Sequence, residues 1–173
     1  MKNYQFLYCI LLIALSSCGA NSKKEQSGNA DSVVTESKSD TTGKQFFAEI
    51  NIADTISVGD SVLLHFAVKN NTDSTKRFCK WHTPFEPLMS KYLDVKNEKG
   101  EEMNYLGAMA KRMMPPPESS YMSLKANDSI AINVDLLKGY DIKEPGKYTV
   151  SYSGENMSGL KVNNSASFVY IKK

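Results

Sequence analysis

The sequence predicts an all-β domain, an antiparallel sandwich of seven or eight short strands, set behind a leader and a polar linker. Three observations carry this reading. From Phe46 onward apolar residues recur with period two, the strand signature. Turn clusters such as Asn70-Asn71-Thr72-Asp73-Ser74 and Pro145-Gly146 break the chain at short intervals. No stretch of the domain keeps a helical period with caps.

The leader comes first. Lys2 gives a basic start, and Phe6 to Leu15 is an unbroken apolar run. A bilayer span needs about 20 apolar residues, so this run is too short to cross and fits a secretory signal. It ends in Leu15-Ser16-Ser17-Cys18, which resembles the lipobox of bacterial lipoproteins. That resemblance implies cleavage after Ser17 and a lipid on the Cys18 sulfur. The expected divisions are a signal peptide over 1–17, a lipidated Cys18 with a flexible linker over 18–44, and a sandwich over 45–173. The expected location is the cell envelope, on an outer-membrane lipid anchor facing the periplasm or the surface. The linker balances Lys23, Lys24, Lys38 and Lys44 against Glu25, Asp31, Glu36 and Asp40, and Val33-Val34 is its one apolar pair. It cannot bury enough surface to offset the entropy of ordering. As a random coil it would span roughly 25–30 Å.

The domain's strands follow in order. Phe46 to Ile52 opens it. Val62, Leu64, Phe66 and Val68 alternate with Leu63, His65, Ala67 and Lys69. Thr75 to Trp81 and Tyr92 to Val95 follow. Asn97-Glu98-Lys99-Gly100 reads as a hairpin turn into a strand over Glu101 to Leu106. Ile130, Ile132, Val134 and Leu136 alternate again, with a short turn over Asp135 to Tyr140. Tyr148, Val150 and Tyr152 alternate after Pro145-Gly146, and Ser167 to Ile171 closes the domain. Two facing sheets that bury alternate residues account for this spacing.

Composition limits the chemistry. A chain of 173 residues allows one domain and a tail, and a formal charge of +2 gives no electrostatic case for nucleic acid. Two histidines and three cysteines exclude most zinc sites and most histidine-based catalysis. No HExxH, GxSxG or P-loop occurs, so no catalytic residue, metal ligand or cofactor is assigned. Cys79, beside Phe78 and Trp81, reads as inert packing. Met103, Met109, Met113, Met114 and Met122 crowd one region. A thioether cluster can hold Cu(I), which keeps a copper-handling lipoprotein as an outside alternative; gap filling or an adaptable contact surface is the favoured reading.

The least regular piece is Gly107 to Ser120, with Lys111-Arg112 ahead of Met113-Met114 and three prolines. A loop this long is commonly functional or mobile. Arg112 could offer its fork to an outside carboxylate, or pin the loop by pairing with an acid such as Glu86. Both readings stand at the sequence level.

Several separated motifs then agree with one family. They are Trp81-His82-Thr83-Pro84-Phe85-Glu86, Tyr105-Leu106-Gly107 with Lys111-Arg112, Tyr121 with Leu124, Val134-Asp135-Leu136, Tyr140-Asp141, and Pro145 to Val150. Together they resemble the non-catalytic N-terminal region of the deuterolysin-type metallopeptidases, which include bacterial peptidyl-Lys endopeptidases. Asn127-Asp128 stands where that family often has a glycine turn. The resemblance implies an immunoglobulin-like sandwich and a history beside secreted proteases; it carries over no catalytic residue. The expectation is a non-enzymatic, lipid-anchored envelope module that contacts a protein or peptide partner. The expected contact residues are Trp81, His82, Phe85, Glu86, Tyr105, Lys111, Arg112, Met113 and Met114. The alternative is a protease inhibitor or folding helper acting in trans, as the propeptide-like region does in cis. A degenerate peptidase is the enzyme-class reading, disfavoured by the missing zinc motif.

Overall fold

A computed structural model describes residues 45–173. The expected signal peptide, Cys18 and the linker lie outside the described residues. The chain runs β1 (Phe46–Asn51), β2 (Thr55–Ser57), β3 (Leu63–Asn70), β4 (Lys76–Cys79), β5 (Leu93–Asn97), β6 (Tyr121–Leu124), β7 (Asp128–Asp135), β8 (Gly146–Tyr152), a single helical turn α1 (Glu155–Ser158) and β9 (Ala166–Ile171). One sheet has the order β1-β3-β7, and the other has the order β2-β9-β8-β5. Strands β4 and β6 form a separate two-stranded ribbon.

Strand β3 shows why these residues form a sandwich. Val62 and, along β3, Leu64, Phe66 and Val68 are fully buried, while Leu63 and His65 face solvent. The opposite sheet answers with Leu93 and Val95 of β5, Tyr148 and Val150 of β8, and Phe168 and Tyr170 of β9. Phe66 and Tyr152 meet across the gap with ring centroids 5.6 Å apart. Tyr148 and Phe168 stack at 5.3 Å. Each fully buried side chain of this kind contributes about 1.5–3 kcal/mol.

Nine strands among the described residues replace the seven or eight expected. β2 and β6 are short additions without a readable period. β2 also pairs parallel to β9, Thr55 opposite Val169 through Ser57 opposite Ile171, so the sandwich is not wholly antiparallel. The strand expected over Glu101 to Leu106 is replaced by isolated bridges, Lys96 to Glu102 and Tyr105 to Tyr140. The segment changes neighbour midway. The Met103 N–H donates to the Val95 carbonyl, but the Leu106 N–H donates to that of Gly139.

Two side chains seal sheet edges where no strand is available. The Asn164 amide accepts from the Ile50 N–H at 3.1 Å and donates to the Ile50 carbonyl at 2.6 Å, against β1. The buried Tyr140 hydroxyl accepts from the Leu93 N–H at 3.3 Å and donates to the Leu93 carbonyl at 3.0 Å, against β5. Both supply a donor and an acceptor to an edge that would otherwise invite pairing with another chain.

Candidate functional site

Two irregular segments converge between strands, residues 80–92 and 104–120. The first is fixed from within. Thr83 is buried, and its hydroxyl donates to the Lys80 carbonyl and accepts from the Phe85 N–H. His82 and Leu88 take left-handed backbone angles, φ +56° and +57°. The Tyr152 hydroxyl donates to the His82 carbonyl at 2.9 Å. Gly154 lies against that same carbonyl, where no Cβ fits.

The second segment is laid along the first. The Ala108 N–H donates to the Leu88 carbonyl at 3.0 Å, and the Ala110 N–H donates to the Met89 carbonyl at 2.9 Å. Tyr105 packs its ring edge against Tyr140 at 5.4 Å, and its hydroxyl donates to the Ala108 carbonyl.

Arg112 locks the two together. Its guanidinium lies over the Trp81 ring, 4.6 Å from the centroid, and forms a close ion pair with Glu86. The Arg112 and Glu86 side chains are only 16% and 19% exposed. Of the two roles open to Arg112, internal pairing with Glu86 is the one observed. Within van der Waals reach of an aromatic face and away from bulk water, such a pair is stronger than a surface ion pair. Burial and then the Arg112 charge hold the His82 imidazole below its ordinary pKa, with Glu86 acting weakly the other way.

The expected contact residues therefore divide by depth. Trp81 is buried, and Phe85 packs against Phe66 and Phe78 at 6.1 and 5.5 Å. His82, Glu86, Tyr105 and Arg112 are half-buried, and Lys111, Met113 and Met114 are exposed. The structure adds Met89, Leu106 and Met109 to the outer layer. Five apolar side chains, Met89, Leu106, Met109, Met113 and Met114, stand between 42% and 85% exposed on these two segments. Reading along the sequence missed Met89 as a surface group, because it lies in no periodic stretch that assigns it a face; Leu106 takes the outward face that alternation with Met103 and Tyr105 gives it. Of the five methionines noted for thioether chemistry, Met103 and Met122 pack against the core instead. Among the described residues no cluster of three or more His, Cys, Asp or Glu is placed to hold a metal ion. Cys79 is buried and free.

Comparison with known proteins gives this arrangement a context. An immunoglobulin-like domain family matches residues 49–166. An extracellular protease of Aeromonas hydrophila is 28% identical over 96 residues, which cover 54% of this chain and 26% of that protein. A neutral protease 2 homolog of Arthroderma gypseum is 27% identical over 95 residues, again 54% and 26%. An uncharacterized secreted protein of Arthroderma benhamiae is 28% identical over 96 residues, 53% of this chain and 49% of that one. The matched stretch thus spans only a quarter to a half of the length of these relatives. Among solved structures, the CARDB domain of a Pyrococcus furiosus protein aligns over 75% of this chain and 88% of its own, at 16% identity and a TM-score of 0.34. The facing sheets and a family match running through most of the domain make this chain a member of the immunoglobulin-like domain family.

Proposed function

We propose that this chain is a non-enzymatic accessory module that grips a protein or peptide partner through the two-segment surface around Met89, Leu106, Met109, Met113 and Met114. We place it at the cell envelope, on a lipid attached to Cys18. The observation that carries the reading is the combination of exposed thioether and leucine side chains with a rigid base. Flexible, polarizable methionines adapt to a partner's shape. The Trp81–Arg112–Glu86 lock, which joins the two segments that carry them, limits the ordering entropy lost on binding. The Ala108 to Leu88 and Ala110 to Met89 backbone bonds bring the exposed Met89 and Met109 onto neighbouring segments, and exposed apolar groups set together mark contact surfaces.

The test is a crosslinking pull-down from envelope extract with the full chain, against a variant carrying Met109→Ser, Met113→Ser and Met114→Ser. These side chains are 66–85% exposed, so the variant should keep its stability within about 0.5 kcal/mol. It should lose the partner that the parent chain captures. Equal capture by both chains would refute the surface. Labelling with a palmitate analogue checks the anchor: Cys18→Ser should abolish the label.

The protease relatives support a second reading, a module that inhibits or assists a protease in trans. The matched region is 26% of each of the two proteases, so the reading is tested on a whole protease. Micromolar full-length chain should slow a purified neutral protease of this kind, and unchanged turnover would remove the reading.

A further inference from the structure

The outward face of the β1-β3-β7 sheet carries a feature the two-segment surface does not use. Its side chains form an open groove of about 540 Å³, walled on one side by Asn163 and Asn164. The register explains the depression. Ala67, at the centre of β3, stands opposite Glu49 of β1, so the methyl group of Ala67 leaves the middle of the groove low. Phe47 pairs with Lys69 at one end, and Asn51 pairs with His65 at the other. Phe47 brings a phenyl ring to this face. Its neighbours Phe46, Ala48 and Ile50 point to the core, whereas its half-buried ring lines the groove.

The polar groups are balanced. Lys69 Nζ is paired with Glu49 Oε2 at 2.6 Å, so the groove holds a donor and an acceptor of opposite charge that cancel. His65 Nδ1 is engaged with Asn133 Oδ1 at 2.8 Å, which leaves Nε2. The exposed side-chain amides of Asn51 and Asn163 have no hydrogen-bond partner among the described residues. An anion would find the groove's lysine already neutralised. A purely apolar ligand would strip water from the two amides and His65 without replacing it. The complementary ligand is neutral, offers an apolar face to Phe47 and the Ala67 floor, and presents hydroxyls on its rim. Pyranose sugars have this build, since one ring face is C–H and the edge is hydroxyl, able to donate and accept. The volume lies within the range of small-ligand sites.

We propose that this groove is a binding site for a neutral oligosaccharide, with Phe47 as the stacking platform and Asn51, His65, Asn163 and the Lys69–Glu49 pair as the hydroxyl contacts. Isothermal titration of the full chain with cellohexaose, maltohexaose and chitohexaose tests it, in a zwitterionic detergent because a sugar-headed detergent would compete. At least one of the three should bind. Phe47→Ala should weaken that binding by about tenfold or more, and Ala67→Leu, which fills the floor, should do the same. Both changes lie on the solvent face, and circular dichroism should show an unchanged fold. Binding of none of the three, equal binding by both variants, or tighter binding of an anionic hexagalacturonate would overturn the proposal. The surface at Met89 and Met113 shares no residue with the groove, so its own test succeeds or fails separately.

Discussion

Arg112 sits where two roles compete, and its contacts decide between them. Its guanidinium covers Trp81 and meets Glu86, so truncation would uncover an indole and leave a half-buried carboxylate alone. Arg112→Ala should therefore destabilise the chain by about 2–4 kcal/mol, measured by urea unfolding. Arg112→Met with Glu86→Gln should recover part of that loss, because no charge is then left unpaired. His82 supplies a pH signature. Burial lowers its pKa beneath the ordinary 6.5, so above that pH both folded and unfolded states are neutral there and stability is full. As pH falls below 6.5 the unfolded chain binds the proton first, and the fold loses stability until the folded imidazole is also protonated. His82→Asn tolerates the left-handed backbone and removes the titration. The drop in melting temperature between neutral and mildly acidic solution should be smaller in that variant than in the parent. The choice for Arg112 was not legible in the sequence, because Glu86 lies 26 residues away and no period links them. What was legible was the pair of candidate partners.

At the level of strands, alternation was a sound guide where one neighbour persists. Leu64, Phe66 and Val68 face the core along all of β3 because β7 flanks it from Leu63 to Asn70 and β1 from His65 to Asn70. Residues 101–106 show the converse. Met103 and Tyr105 do turn toward the core, as alternation requires, but the backbone bonds first to β5 and then to residues 139–141. A period reports which side chains are buried and is silent about whether one ladder continues. β2 and β6 have too few residues to show a period at all. The Tyr140 hydroxyl, which stands in for a strand at Leu93, makes an element-scale prediction. Tyr140→Phe should cost about 1–2 kcal/mol by leaving the Leu93 N–H and carbonyl without their edge partner. Hydrogen exchange should speed up at Leu93 more than at Val150, which sits inside the sheet.

For the molecule as a whole, buried tyrosines set an alkaline limit. Burial pushes the Tyr92 hydroxyl up to about 12 and raises Tyr140 and Tyr152 as well. Above pH 10 the unfolded chain releases these protons while the folded chain retains them, so stability falls as pH rises through that range. Tyrosinate absorbance from these residues should appear together with the loss of β-sheet circular dichroism, and ionisation well ahead of unfolding would contradict their burial. The parallel pairing of β2 with β9 has a mechanical consequence. β2 follows the first strand of the domain, and β9 is its last. Tension applied from the two sides draws parallel partners lengthwise past each other. The load then falls on the whole ladder together, including the Val58 N–H to Ile171 carbonyl bond of 2.7 Å. A hairpin pulled open at its ends would instead break one bond after another. A module held on one side and pulled from the other gains in this way a clasp that shears and does not unzip.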